Sequence, residues 1–303
     1  MEMTLEEFDE LFKTEEDCLE ALYAAKWPNG FLCPSCSHTQ CYVIRSRKLP
    51  LYECRKCKSQ TSLISETIFR NSRTPLRSWF VAILLHTRWN GINAVQLADA
   101  IKVTYKTAWL MCHKLRYAMS KADADTLLSG IVRISDALMY RRIVPPRNCI
   151  EFEQPLMVGS MDNERGEPTH VKIQISPRSL RTDRHGSPDP TPFINRVVSP
   201  ESIPHAIFTK RHGKNVNYTL VGICRDAETW IAWTFRGIGL KHLQVYLDHF
   251  CYVGNRPKAV LYHEIFKDCV QRRAIDYPTL TGSNQRRSSR PNRSTKHETM
   301  LAG

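Results

Sequence analysis

Two cysteine pairs, "CPSC" at Cys33 and Cys36 and "CRKC" at Cys54 and Cys57, stand seventeen residues apart and constrain this chain more than any other feature. Cysteines two residues apart on a tight turn present both thiolates to one ion. Two such turns flanking the alternating stretch "CYVIRSRKLPLYEC" predict a zinc ribbon, a tetrahedral cage of four thiolates around a structural Zn(2+). A segment of this size cannot bury a core of its own, so the ion is expected to supply much of its stability. Cys41 and His38 lie close by but lack the paired spacing and read as bystanders. The eleven cysteines occur with no secretory signal, since the N-terminus is acidic and amphipathic; this favours reduced thiols and metal ligation over a disulfide framework.

Charge points the same way. The formal net charge is +13 over 303 residues, and the pI is about 9.3. Residues 1–26 hold nine acids against Lys13 and Lys26, so the basic excess lies further along. Arg45, Arg47, Lys48, Arg55, Lys56 and Lys58 crowd the ribbon. A solvated ribbon surface accounts for them, and so does a face that docks DNA or another protein. A polyanionic partner is favoured over an acidic small molecule. The longest apolar run, "WFVAILL", is too short to span a bilayer, so no membrane partner is expected and the chain is placed in the cytoplasm or on a prokaryotic nucleoid.

Before the ribbon, "MTLEEFDELFKTEEDCLEALYAAKW" reads as two short helices with Thr4 and Thr14 as N-caps and acids in their first turns. After it, residues 74–119 read as helical. Thr74-Pro75 looks like a cap with proline at the first helical position. Asn90-Gly91 breaks the pattern, and "NAVQLADAI" and "YKTAWLMCHKLRYAM" flank the turn "KVT", which suggests a helix-turn-helix. In its last helix Ala108, Cys112, Leu115 and Met119 form the core stripe. Lys106, His113, Lys114 and Tyr117 fall roughly opposite and are the candidate DNA contacts, although a lysine-bearing face is common on any surface helix. Beyond "SKADAD", strand-like runs begin with "GIVRISDALMY", "PLMVGSMDNE" and "THVKIQIS". A loop rich in Pro, Asp and Arg follows over 177–192. "TWIAWTF" and "KHLQVYLDHFCYV" come later, the second with helical periodicity. The last stretch holds five basic residues and no core, as a disordered, phosphate-attracting tail does.

The order of these segments resembles a known family. "KWPNGFLCPSC", "ETIFRNSRTPLRSWFVAI", "AVQLADAIKVTYKTAWLMCHKLRYAM", "LSGIV" and "TWIAWTFRGIGLKHLQVYLDHFCYVGNR" are similar to insertion-sequence transposases with an N-terminal zinc ribbon and a DDE-type, RNase H-like catalytic domain. The fold class that this implies is multidomain α+β. Helices and ribbon occupy 1–70, the helix-turn-helix 71–124, an RNase H-like α/β domain 125–282 and the basic tail 283–303.

The resemblance also implies a chemistry: carboxylates from several strands hold two divalent ions that activate water and then a 3′-hydroxyl for attack on phosphodiesters. Here the chain departs from the family. Where the family runs Leu-x-Gly-x-Val-Glu-Val-Asp-Glu, this chain has "LSGIVRISDA", which puts Ser135 at the aspartate and Asp136, the candidate catalytic acid, one position late. The second acid belongs near Ala206 and Ile207 in "SPESIPHAIF", where neutral residues stand. In "VGICRDAETW" Trp230 is kept, while Asp226 and Glu228 take the places of an asparagine and a lysine. Asp162, Glu164 and Asp183 are further acids in this half. Mg(2+) is expected only if this site is functional.

The leading expectation is therefore a transposase-family protein that binds double-stranded DNA at insertion-sequence ends with impaired strand transfer. A non-catalytic DNA-binding regulator, its C-terminal half serving a homo-oligomer, is the alternative. A zinc-ribbon module for an acidic protein partner is a third.

Overall fold

The computed structural model describes residues 3–47, 49–140, 153–177, 186–273 and 275–281. Lys48, Asp183 and the expected basic tail lie outside them. Helices α1 (Leu5–Leu11) and α2 (Glu15–Lys26) begin at the threonine caps: each threonine hydroxyl accepts the N–H three residues on, and Glu7 and Asp17 reach back to the cap N–H groups. The ribbon strands β1 (Cys41–Ile44), β2 (Leu51–Cys54) and β3 (Gln60–Ser62) form an antiparallel sheet in that order.

Helix α3 (Leu76–His86) does not start on Thr74, and Pro75 sits at its cap rather than in its first turn. Its leading N–H groups, on Leu76 and Arg77, donate to the carboxylate of Glu15 at 2.7 and 3.1 Å, so a side chain of α2 caps a helix sixty residues away in sequence. Helix α4 (Ala94–Ala100) starts on Asn93, which accepts from Val95 and Gln96. A left-handed Lys102 closes α4, and α5 (Tyr105–Ala124) opens on Thr104.

Strands β4 (Ile131–Tyr140), β5 (Glu153–Asp162) and β6 (Pro168–Ile175) form an antiparallel meander, and β7 (Ile207–Thr209) lies parallel to β4, giving the order β6-β5-β4-β7. Helix α6 (Thr191–Val197) and the 200–205 turn cover one face of this sheet; α7 (Tyr218–Phe235) and α8 (Leu240–Gly254) cover the other. The run "TWIAWTF" forms the end of α7. Side-chain alternation divides the sheet cleanly. Val132, Ile134 and Met157 pack with Phe193 and Val197 of α6, whereas Ala137, Met139, Leu156 and Val158 pack with α7 and α8.

Helix α9 (Lys258–Gln271) then returns to the N-terminal layer. Its Leu261, Tyr262, Ile265 and Cys269 join Phe8, Leu22, Trp79, Phe80 and Leu115 in one core, which also takes in Cys33, Tyr52 and Cys54 of the ribbon. That core runs across the expected boundaries at 70 and 124. The ribbon is therefore not a module resting on its ion alone. Its inner edge packs on Trp27, Phe31 and Tyr23, and the half-buried ammonium of Lys26 donates to the carbonyls of Ser62, Leu63 and Ser65 at and just beyond the end of β3. A short helix, α10 (Tyr277–Thr281), ends the described chain.

Candidate functional site

Both cysteine pairs sit on knuckles built alike. In each, the residue after the second cysteine, Ser37 or Lys58, takes a left-handed backbone (φ 57° and 60°), and its N–H donates to the carbonyl of the first cysteine. This curls the chain so that both thiols point to one side. The two knuckles face each other: Cys33 Sγ lies 3.5 Å from Cys57 Sγ and Cys36 Sγ 3.6 Å from Cys54 Sγ. All four sulfurs fall within 4.8 Å of one another. A tetrahedral zinc with bonds of about 2.3 Å needs sulfurs roughly 3.8 Å apart, so the donor set and its spacing fit the ion.

The local backbone also favours thiolates. Burial pushes the Cys33 thiol up, but N–H groups of Ser35 and Cys36 outweigh it and hold the thiol down at about 6. Burial likewise opposes ionisation of Cys54, and N–H groups of Cys57 and Lys56 overcome it. Cys41 pairs with Cys54 across β1 and β2, and neither it nor His38 belongs to the converging group.

On β1 the exposed Tyr42 faces out from the ribbon, while Val43, also exposed, stands opposite Tyr52 on the other face. The Arg55 guanidinium and the Lys58 ammonium lie 4.8 and 5.4 Å from the Tyr42 ring centre, and Arg45, Arg47 and Lys56 are also exposed on the ribbon. The residues expected of a helix-turn-helix divide. Lys106 is exposed in the first turn of α5 beside exposed Tyr105. Tyr117 is half-buried under Lys121. His113 and Lys114 are buried, contrary to the outward face expected from periodicity. The reason is that α5 is packed on several sides, by α3, α4, α8 and α9, instead of one. The His113 ring lies 4.1 Å from that of Trp109 and 4.7 Å from that of His242. Lys114 donates to the carbonyl of Arg70 and sits over Trp79.

Asp136 lies in the middle of β4, whose register with β5 runs without a slip from Ile131↔Asp162 to Tyr140↔Glu153. No bulge turns it over, so Asp136 belongs to the α6 face and Ser135 to the α7 face. The Asp136 carboxylate is wholly buried and fully engaged. Its Oδ2 accepts from the Arg211 guanidinium at 2.6 Å, and its Oδ1 accepts the Arg211 N–H at 2.8 Å and the Ser187 hydroxyl at 2.9 Å. Only 7% of the Arg211 side chain is exposed. The parallel neighbour β7 pairs Thr209 with Ser135, so the residues delivered beside the acid are Thr209, Lys210 and Arg211; Ala206 and Ile207 come earlier.

The remaining acids are spread. Asp162 is held by Arg133 and Ser160. Glu228 accepts from the N–H of Tyr140, and its carboxyl is raised by burial. Glu164 and Asp226 are exposed. Among the described residues the four cysteines alone converge as a group fit for a metal ion; the carboxylates do not fit a divalent-ion cage.

Residues 13–60 match the family model described as a transposase zinc-ribbon domain. Over 128 residues the chain is 32% identical to an uncharacterized protein in transposable element ISH50 of Halobacterium salinarum; this covers 41% of the chain and 42% of the relative. The chain thus spans less than half the length of the curated relative it matches. No solved structure matches it.

Proposed function

We propose that this chain, whose zinc ribbon and relative in a transposable element support membership of an insertion-sequence transposase family, binds double-stranded DNA at insertion-sequence ends and no longer performs strand transfer. The DNA-facing elements of this reading are the cationic ribbon surface around Tyr42 and the first turn of α5, where a helix-turn-helix presents its base-reading residues. Phosphate contacts from Arg55, Lys58 and Lys106 are sequence-blind and strengthen as salt is lowered. The order β6-β5-β4-β7, with a parallel strand beside the first, is compatible with an RNase H-like sheet.

The observation that carries the loss of chemistry is the Asp136–Arg211 pair. A transposase needs its acids free to hold cations, because two ions must sit between them and the DNA. Here the Arg211 guanidinium already neutralises the central acid, and Lys210 follows β7 beside it. Two further cations brought there would be repelled. A labelled insertion-sequence end incubated with the purified chain and magnesium or manganese tests this: a retarded band without nicks is expected. Nicking that Asp136→Ala abolishes would overturn it.

A further inference from the structure

Between the 88–93 turn and α7 lies a groove of about 730 Å³ that none of the foregoing uses. Two indoles open onto it: Trp233 is 77% exposed and Trp89 50%. An indole left this far in water forfeits its largest stabilising contribution and marks a surface awaiting a partner. Around them stand the Asn90 amide, the Gln96 Nε2, the Thr229 hydroxyl and the Asp226 carboxylate, none with an intramolecular hydrogen bond among the described residues. Donors and acceptors therefore line the same groove as the flat rings.

The electrostatics favour an anion despite Asp226. Arg236 lines the groove, and Arg88 is exposed in the adjoining turn. Behind the turn, at the Ile92 carbonyl, the Arg116 guanidinium is 1% exposed and meets no carboxylate among the described residues. It stacks on Tyr246 and Phe235 at 4.2 and 5.0 Å and donates to the carbonyl of Ile92. A buried charge without a counter-ion projects its field to the nearest surface.

The groove is also rigid. Trp230 Nε1 donates to the Trp89 carbonyl at 2.9 Å, Thr234 Oγ1 to the Asn90 carbonyl at 2.7 Å, and Asn93 Nδ2 to the Thr234 carbonyl at 3.1 Å. Gly91 has φ +64°, and a Cβ there would stand 2.9 Å from the Trp230 ring, so the turn can lie this close to α7 only with glycine.

We infer that this groove docks unpaired nucleobases of single-stranded DNA, which stack on Trp233 and Trp89 while Asn90, Gln96, Thr229 and Asp226 meet their edges. Stacking platforms beside guanidinium groups are what single strands require, and a pocket of this volume admits bases but not a duplex face. The inference rests on the DNA-binding reading above and names a second form of DNA for a second surface.

The test compares the full chain with Trp233→Ala and Trp233→Phe, titrated with a labelled oligothymidylate and, separately, a labelled duplex. Trp233→Ala is expected to weaken single-strand binding about tenfold or more, Trp233→Phe to restore most of it, and duplex affinity to stay the same. Unchanged single-strand affinity in Trp233→Ala overturns the inference. So does loss of self-association in that variant with no change toward DNA, which would assign the groove to a protein. A wild-type chain that binds duplex but no single strand sinks the inference and leaves the DNA reading standing; one that binds neither sinks both.

Discussion

The ribbon and the sheet half both gather charged ligands at a point, and they do so in opposite ways. In the ribbon, four sulfurs converge within 4.8 Å of one another, each knuckle supplying N–H donors that favour thiolate; the donor set suits a cation from outside. In the sheet, the central acid is already matched by a cation from inside, Arg211, and sealed from solvent. The difference teaches that a metal site survives through the mutual spacing of its ligands. The carboxylate of Asp136, paired with Arg211 inside the core, is held instead as a structural ion pair.

The largest expected effect tests the ribbon side. Cys33→Ser or Cys54→Ser should abolish the one bound zinc and, because both sulfurs lie in the shared N-terminal core, lower the melting temperature of the whole helical layer. Structural zinc in small domains contributes on the order of 10 kcal/mol. Zinc analysis with a thermal melt checks this, and full occupancy in either variant would remove the basis of the comparison.

The sheet side is broken or sharpened by Asp136→Ala. It strands the buried Arg211 charge and should cost about 3–5 kcal/mol in urea unfolding with no metal present. Asp136→Leu combined with Arg211→Met should recover most of that loss. If Asp136 instead served a divalent ion, the single variant would keep its stability in chelator and lose only metal-dependent stabilisation.

Acid should strain the joint between the two regions. Burial, then the nearby Arg116, holds His86 and His113 down at about 3, and His249 is lowered by the same causes. A histidine whose folded value lies below its unfolded one lets the unfolded chain take up protons first. The stability is therefore complete above about pH 6.5 and lost below it, at about 1.4 kcal/mol per pH unit for each histidine. Asp248 works the other way. Burial raises it to about 6, so the folded chain takes its proton first and stability returns between about pH 6 and 4. His242, lowered by burial, adds to the loss, while Glu228 and Asp268, raised by burial, work with Asp248. The histidine loss opens at the higher pH and predicts a net fall in melting temperature from pH 7 to 5. His86→Gln should shallow that fall, and Asp248→Asn should steepen it.

The smallest effect separates exposed from buried lysine. Lys106→Ala should weaken DNA binding several-fold and reduce the slope of log affinity against log salt by about 1. Lys114→Ala should leave the slope intact and lower stability, since Lys114 holds the Arg70 carbonyl and lies over Trp79. Equal slopes for Lys106→Ala and the wild-type chain would detach α5 from the DNA surface.

What could be read from the residues alone was whatever depends on near neighbours. The knuckles, the threonine caps, the strand alternation that sets Ser135 and Asp136 on opposite faces, and the core stripe of α5 all follow from spacings of a few residues. The other face of α5 escaped the same reasoning. Periodicity identifies the apolar side but says nothing of how many partners a helix has, so His113 and Lys114 looked outward. Thr74 looked like a cap because nothing local revealed that Glu15 would arrive at α3 first.

Sequence by itself determined the two cysteine knuckles and that Ser135 and Asp136 stand on opposite faces of β4, for both are fixed by spacings of a few residues along the chain. Tertiary structure decided the rest. It drew α9 back into the N-terminal core, laid β7 beside β4 so that Arg211 meets Asp136, and stitched the 88–93 turn to α7. Those are contacts between segments far apart in the chain, settled by which buried surfaces and charges can be satisfied together, and no short window of residues contains that information.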